Sequence, residues 1–413
     1  MNQGAENLQE PVKPDTSESR IGFGFFSLLI GQTVSMIGSQ FGGMALSILI
    51  LEKTGSATAM SLNVILSMLP MLLLGPAAGV FLDRVNRKRV LVISDLAQGV
   101  LTLGVGWLIH TGRFTIYHAY AWSIVISLIR VLYDPGTMAI IPALVPSREL
   151  QRANALQALS RNAAMVVAPA LAGIAIAAFG PWFALATNAA SFWFAAVCIS
   201  IARTRYEERL VKSGRPKFSE IKEGFEFFRR SQLAFTLLMI TIVVNACSQP
   251  AGIALQVHVL QTFKGDSAVL GLARSMWAGA SILASFIIAS WGKRLRVGQM
   301  LLLGIAGSGL SFILVALLPW LGAIPLAYAV GGLMSPALQV PMQTLYQDIT
   351  PVDVRGRVFA LRVSLSQVLS PLSFAVSGVL LDALGSRVVF AGLGVVLLAA
   401  SIAVKALGRL EDV

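Results

Sequence analysis

Long apolar stretches alternate with short polar ones along almost the whole chain. Charged residues, prolines and glycines bound twelve apolar segments, each near the length that crosses a bilayer as a helix. The pattern therefore predicts an all-α membrane protein with twelve transmembrane helices. These segments cover residues 22–50, 57–82, 90–110, 119–142, 154–178, 182–202, 232–258, 268–290, 298–318, 323–346, 358–382 and 387–407.

One long polar interruption, residues 203–230, falls near the middle of the chain. Within it, Phe218, Ile221, Phe225 and Phe228 recur at helical spacing, which predicts an amphipathic helix at the membrane surface. We expect a disordered polar tail, an N-terminal six-helix bundle, a linker with the amphipathic helix, and a C-terminal six-helix bundle. Their bounds are 1–20, 21–203, 204–230 and 231–413.

The two halves share residues at one offset. A parallel internal repeat of two six-helix bundles explains this offset and places a central site between the halves, near the bilayer midplane. Five residues recur 205 positions later, as Pro146/Pro351, Ala155/Ala360, Leu156/Leu361, Gly173/Gly378 and Gly180/Gly385.

Composition agrees with a membrane location, because 56% of residues are hydrophobic and only 13% are charged. The mean hydropathy is +0.75. A net charge of +12 would suggest a nucleic-acid partner in a soluble protein. The distribution of the basic residues along the chain decides between a nucleic-acid partner and anchoring at the membrane surface. With the N-terminus in the cytoplasm, 25 lysines and arginines lie inside and four outside, which predicts cytoplasmic termini and basic anchors at the bilayer surface.

Neither the cysteines nor the histidines form a ligand pattern. Cys198 and Cys247 lie in separate apolar segments, too few for a disulfide framework. His110, His118 and His258 lie near segment ends without metal-ligand spacing, so we interpret them as surface residues. We expect no metal and no cofactor.

The stretch GVFLDRVNRK, residues 79–88, concentrates charge between the second and third segments. Asp83 can accept hydrogen bonds from a neighbouring helix N-terminus or from Arg87, and the basic residues can anchor the loop inside. A latch between moving halves and plain anchoring are both consistent with these residues.

The same stretch resembles the signature loop of the major facilitator superfamily, with Asn86 where glycine is usual. The resemblance implies that superfamily's fold, and it implies a gating cluster of Asp83 and Arg87 that stabilises the outward-facing state. The matched positions are Gly79, Asp83, Arg84, Arg87 and Lys88.

Two further stretches resemble the drug:proton antiporters of the macrolide-efflux type, a family that includes siderophore exporters. IPALVPSRELQRANALQALSRN, residues 141–162, is similar to the loop and start of their fifth span. APALAG, residues 168–173, is similar to their antiporter motif at Pro169 and Gly173, with alanines replacing two glycines. Alanine still permits close helix packing, so a kinked fifth span is expected.

Charged residues inside the apolar segments are candidates for function, because an intramembrane charge is costly unless it is paired or hydrated. Arg130 and Asp134 lie one turn apart in the fourth segment. We hypothesise that Asp134 takes up and releases a coupling proton, while Arg130 perturbs the pKa of Asp134 or contacts substrate. Arg161 is a rival partner for Asp134, and a self-neutralising structural pair is the alternative. Asp95 is expected to pair with the basic loop beside it, and Arg274 either faces a cavity or extends to the surface.

Amide and hydroxyl side chains form stripes in the first, seventh and tenth segments, which line the central cavity in the superfamily that the chain resembles. Each stripe keeps to one helix face. A substrate cavity and interhelical hydrogen bonding are both consistent with them. The stripes are Gln32, Ser35 and Ser39; Asn245, Gln249 and Gln256; and Gln339, Gln343 and Gln347.

These features predict a monomeric secondary exporter of amphipathic or lipophilic small molecules, macrolide-like or multidrug-like, in a bacterial cytoplasmic membrane, exchanging substrate for protons. Amides rather than fixed charges favour a permissive pocket over an anion site. A siderophore or secondary-metabolite exporter, a lipid translocator and a sensor without transport are alternatives. No set of residues typical of an enzyme or a nucleotide-driven pump is found in the sequence.

Overall fold

The computed structural model describes residues 21–82, 85–202, 225–291, 296–351 and 354–406. The N-terminal tail, Asp83, Arg84 and residues 203–224 of the linker lie outside these ranges. Every regular element in the described ranges is helical.

The first half contains five long helices. Short turns at 55–56 and 111–115 join the first helix to the second and the third to the fourth, and 3₁₀ turns at Ile141–Ala143 and Ser147–Glu149 lead into the fifth. They are α1 (Phe23–Thr54), α2 (Ala57–Leu82), α3 (Arg87–His110), α4 (Ile116–Ile140) and α5 (Leu150–Ile201).

The second half follows a short described helix of the linker, α6 (225–230). A π-turn at His258–Thr262 extends α8, and a 3₁₀ turn at Leu321–Ala323 precedes α11. The helices are α7 (Gln232–Ser248), α8 (Ala251–Val257), α9 (Ser267–Trp291), α10 (Val297–Leu317), α11 (Ile324–Ile349), α12 (Arg355–Val368) and α13 (Ser370–Ala406).

Ten helical stretches in the described ranges are long and apolar enough to cross a membrane, which makes the chain a multi-pass membrane protein. Two of these stretches are too long for one crossing: 147–201 with 55 residues and 355–406 with 52. Each contains one glycine with non-helical backbone angles, Gly180 at φ 81°, ψ 170° and Gly385 at φ 77°, ψ 164°. These angles favour glycine, and they break each helix between two predicted segments.

The described part of the linker packs against the second half. Phe228 is buried at 3% exposure and its ring contacts Tyr346, whereas Phe225 is 59% exposed. Phe225 and Phe228 lie one turn apart on the face that the sequence predicts to be apolar, and only Phe228 is covered by the second half.

The molecule has two ends, which we name by their residues. The proximal end is where α1 and α5 begin, and the distal end carries the turn at Gly55 between α1 and α2. Gln261, after α8, donates to the Gly55 carbonyl at 3.1 Å, so the two halves meet at the distal end.

Helices α5 and α9 join the halves through backbone that approaches backbone. A side chain on either Gly173 or Gly271 would collide with main-chain atoms of the opposite helix. Ser267 Oγ donates to the Gly173 carbonyl at 2.8 Å, and the Ala170 amide donates to Ser275 Oγ at 2.9 Å. Small residues permit this approach, and the hydrogen bonds reinforce it in an apolar environment. Pro169 and Gly173, the antiporter-like positions, thus lie at the joint.

Helices α2 and α13 form a matching joint. A Cβ on Gly378 would lie 2.6 Å from Ser61 Oγ and 2.9 Å from the Thr58 Cα. Gly378 lies 205 residues after Gly173, and Gly271 lies 210 residues after Ser61. Both joints extend inward from the distal end, so the same end of each half is held closed.

Filling the first joint should open the distal end. In Gly271→Leu, the new side chain has no room against α5, so the α5–α9 contact must separate and the free energy of the distally closed state rises. Spin labels at Lys53 and Asp266 are expected to move apart, measured as a pulsed-EPR distance distribution. Gly392→Leu is the control, since Gly392 has open space at its Cβ position. An unchanged distribution in Gly271→Leu would contradict the joint.

Candidate functional site

A cavity of about 900 Å³ lies in the second half. Side chains of α7, α9, α10, α11 and α12 line it. It reaches from Trp277, in the middle of α9, toward the proximal end, where Gln343 and Thr344 of α11 are exposed. Its size suits a drug-sized organic molecule.

Amide side chains of the predicted stripes contribute to this cavity. Gln249 Nε2 donates to Gln367 Oε1 at 2.9 Å and to Ser370 Oγ at 3.0 Å, which ties α7 to the break between α12 and α13. Asn245 Nδ2 donates to the Ser366 carbonyl at 3.3 Å. The stripe therefore shapes the cavity wall through interhelical bonds and also faces its interior.

The α11 stripe and Gln256 are placed differently from one another. Gln339 and Gln343 line the cavity, and among the described residues Gln339 hydrogen bonds within its own helix, to Ser335 Oγ at 2.8 Å. Gln347 is exposed beyond the lining residues, and Gln256 is buried at 2%. The open amides of α11 are thus available to a ligand.

Two arginines line the cavity together with these amides. The sequence predicted a pocket lined by amides rather than by fixed charges, so the arginines differ from that expectation. Arg274 of α9 lines the deep part and donates from Nη2 to the Gly252 carbonyl at 3.4 Å. Arg362 of α12 lines the cavity with its guanidinium carbon 4.7 Å from the Tyr346 ring centroid, a cation–π contact. Arg274 therefore faces the cavity, one of the two orientations expected for it.

The α1 stripe does not lie among the residues lining this cavity. Gln32 Oε1 accepts from Gln157 Nε2 at 3.2 Å, and the hydroxyls of Thr33 and Ser160 are hydrogen bonded, so this part of α1 is tied to α5. Ser35 is buried and Ser39 half-buried. Of the two roles considered for the stripes, Gln32 has that of an interhelical hydrogen bond.

Arg130, Asp134 and Arg161 are all exposed side chains of the first half. Arg130 and Arg161 lie near enough to Asp134 for their positive charges to act on it, Arg130 more strongly. Asp134 lies six residues before Ile140, where α4 ends, and the 3₁₀ turn Ile141–Ala143 continues the helical stretch beyond that point.

Asp95 does not behave as expected. It is 0% exposed, and its Oδ2 accepts from the Tyr133 hydroxyl at 3.2 Å. Oδ1 has no hydrogen-bond partner among the described residues, and neither does the side-chain amide of buried Gln98 one turn away. The expectation of a pair with the basic loop was wrong, because Asp95 points into the helix packing.

The surface interpretation of His258 was also wrong. The residue is 0% exposed, with its ring nitrogens 2.8 Å from Ser386 Oγ and 3.1 Å from the Val315 carbonyl. Phe263 and Phe390 pack edge-on against the ring. The π-turn that begins at His258 directs it inward.

The described part of the signature loop is anchored to its own half. Arg87 is buried, and its Nη1 donates to the Ala139 carbonyl at 3.3 Å. Lys88 Nζ donates to the carbonyls of Ser200 and Ala202, each at 2.8 Å, where α5 ends. Asn86, in place of the usual glycine, caps α3 by accepting from the Arg89 amide at 3.0 Å. Gly79 lies in α2, and Asp83 and Arg84 lie outside the described residues.

The distal end carries an acidic latch that sequence reasoning missed. Asp382 of α13 accepts from Ser56 Oγ and from the Ala57 amide, each at 2.6 Å, and from the Thr58 amide at 3.0 Å. The carboxylate of one half thus caps the N-terminus of α2 in the other half, where a negative charge is stabilising. We call Asp382 and residues 56–58 the distal latch.

Weak signals for the missed residues exist in the sequence. Asp382 lies four residues after Gly378, one of the repeated residues, and therefore on the same helix face. Arg362, Ser366 and Gln367 are polar residues at helical spacing at the start of a predicted span, but Arg362 follows the basic loop residues and is easily counted with them.

Membrane-crossing helices form two halves that are joined at one end, and a polar cavity in the second half reaches the other end. This arrangement is typical of a transporter. The family model for the Major Facilitator Superfamily matches residues 28–251 and 246–412. The chain belongs to this superfamily, and it is not an enzyme.

Characterised relatives include efflux proteins. The chain is 24% identical over 368 residues to macrolide efflux protein A of Streptococcus pyogenes, covering 87% of this chain and 90% of that protein. It is 26% identical over 380 residues to the multidrug efflux pump Tap of Mycobacterium tuberculosis, covering 89% of each.

Solved transporters share the fold at low identity. A nucleoside transporter, NupG, superposes with a TM-score of 0.73 at 13% identity, over 94% of this chain and 99% of that one. A bacterial homologue of the iron transporter ferroportin in an inward-facing state superposes with a TM-score of 0.70 at 17% identity, over 92% and 98%. These likenesses concern the fold alone.

The distal latch yields a prediction with a matched control. Asp382→Ala removes three hydrogen bonds to a charged acceptor across the halves, so it should raise the population open at the distal end by about tenfold or more. Asp266→Ala removes a cap at the same end, but Asp266 accepts from the Val269 amide within one half. Pulsed-EPR distances between labels at Thr54 and Thr262 should lengthen only in Asp382→Ala. Equal distributions in the two variants would contradict a latch between halves.

Proposed function

We propose that the protein is a secondary active exporter of amphipathic or lipophilic small molecules, of the macrolide or multidrug type, that works by alternating access and exchanges substrate for protons. The cavity of about 900 Å³ between amide and aromatic side chains is the observation that carries the proposal. The efflux relatives of similar length support the direction of transport.

The proposal includes twelve membrane crossings with both termini in the cytoplasm. The breaks at Gly180 and Gly385 divide the two long helical stretches, and the similar angles of these glycines, 205 residues apart, support a parallel repeat. The excess of basic residues on one side supports the orientation. In this orientation the proximal end faces the cytoplasm and the distal end faces outward.

The conformation then corresponds to an inward-facing state. Both joints and the distal latch close the outer end, while the cavity reaches the proximal end. Substrate enters from the cytoplasm or the inner leaflet. Release requires the joints to separate at the distal end while the proximal ends close, with the signature loop and Asp83 contributing to the closed proximal end.

Asp134 is the proposed proton carrier. It is an exposed acid inside a membrane helix, under the influence of two arginines, so it can exchange protons with water entering from the proximal end. Protonation would change its interaction with Arg130 and Arg161 and thereby couple proton movement to the rearrangement of the first half.

Replacing the acid should abolish coupling without removing the cavity. In Asp134→Asn, uncoupler-sensitive efflux of a macrolide and of a lipophilic dye from preloaded cells lacking their main pumps should fall to the level of cells without the protein. Asp134→Glu should retain it, because a carboxyl group remains.

Asp95→Asn is the matched control for loss of an acid. The amide oxygen can still accept from the Tyr133 hydroxyl, so efflux should keep its dependence on the proton gradient. Export by Asp134→Asn at the wild-type rate and with undiminished sensitivity to the uncoupler would contradict the role of Asp134. The opposite pattern in the two variants would assign coupling to Asp95.

A further inference from the structure

We propose that Arg274 forms an anion-recognition subsite in the cavity, which selects amphipathic substrates carrying a carboxylate or a similar oxyanion. The inference rests on the proposed function, because it assumes that this cavity holds the transported molecule. The inference narrows the substrate class to amphipathic molecules with an anionic group, a preference that the amide stripes alone do not indicate.

The first support is the charge of the cavity. Arg274 and Arg362 both line it, and among its described lining residues none is an aspartate or a glutamate. A guanidinium within a membrane protein is costly to desolvate and is normally paired with an anion. The wall of this cavity supplies positive charge without a carboxylate to balance it, so a bound anion would lower the electrostatic free energy.

The second support is the state of the two guanidinium groups. The described hydrogen bond of Arg274 is one long contact, 3.4 Å to the Gly252 carbonyl, which uses one of its five N–H groups. Arg362 is held over the rings of Tyr346 and Phe359, and its buried Nη1 has no hydrogen-bond partner among the described residues. Both groups therefore retain donors for a ligand.

The third support is open space next to the residue that Arg274 contacts. The Gly252 carbonyl accepts from Arg274, Gly252 lines the cavity, and a Cβ built on it meets no atom within 4 Å. Pro250 separates α7 from α8 just before this glycine. An arginine can present two parallel N–H donors to an oxyanion in such a cavity, a geometry that a lysine cannot reproduce.

The fourth support is the surrounding chemistry. Trp277, one turn from Arg274, and Phe312 and Tyr328 supply apolar and aromatic surface, while Gln339 and Gln343 supply further donors. Asp134, the exposed acid in a membrane helix of the first half, has its own arginines nearby, Arg130 and Arg161. It is therefore not the anion that balances Arg274. The site therefore fits a molecule with an aromatic or aliphatic body and an anionic end.

The test compares two dyes that differ at one group: rhodamine B, which has a free carboxylate, and its ethyl ester. Binding to the full-length protein in nanodiscs is measured by equilibrium dialysis, with empty nanodiscs subtracted. Wild type should bind the carboxylate at least about tenfold more tightly than the ester, as expected for a charge-assisted pair of hydrogen bonds.

Arg274→Gln should reduce that preference to less than about twofold, chiefly by weakening carboxylate binding, and Arg274→Lys should retain only part of the preference. Gly252→Leu should weaken carboxylate binding by filling the adjacent space without changing any charge. Arg387→Gln, which removes the same charge from an exposed arginine outside the cavity lining, should keep the full preference.

Equal binding of the two dyes by wild type, no binding of either, or a preference that survives Arg274→Gln would overturn the subsite. Efflux of the same dyes from cells is measured separately. A preference in binding that Arg274→Gln removes, without efflux of either dye, would support the subsite and contradict export. Efflux of both dyes with equal binding would contradict the subsite alone.

Discussion

Direct backbone contact between the two halves is the constraint on which the rest of the structure depends. At Gly173 and Gly271, and again at Gly378 beside Ser61, the helices are too close for a further side chain. In lipid there is no hydrophobic force to press helices together, so such close packing and its hydrogen bonds must supply the association. Because both joints start from the distal end, and Asp382 adds a charge-assisted cap there, the cavity can reach only the proximal end.

The two halves use their polar residues differently. The second half exposes amides and two arginines to the cavity, whereas the α1 amide Gln32 is engaged with α5. The first half instead contains the exposed Asp134 near two arginines, and the buried Asp95 hydrogen bonded to the half-buried Tyr133. In the proposed mechanism, recognition of substrate belongs mainly to the second half and proton exchange to the first. A change in the charge of Asp134 must then be transmitted through the joints.

Much of the fold could be predicted from the sequence, because bilayer-length apolar runs and a dominant polar linker are strong and local signals. The breaks at Gly180 and Gly385 were also predictable, since both follow from the ends of apolar runs.

The partners of polar side chains were less predictable, because a helix face does not show which neighbour it meets. Asp95 was assigned to the nearby basic loop, yet it bonds to Tyr133 of α4. His258 was assigned to the surface, and a π-turn buries it. Asp382 acts on a helix 325 residues away, a contact that only the fold defines.

The most direct test of the central claim is transport by the purified protein in proteoliposomes containing a pH-sensitive dye. With no other energy source, an imposed pH gradient should drive accumulation of a lipophilic substrate on the acidic side, and a substrate gradient should move protons in the opposite direction. Accumulation of the substrate should stop when an ionophore collapses the imposed pH gradient. Substrate movement at the same rate with and without the gradient, and without accompanying proton flux, would contradict a proton-coupled exporter.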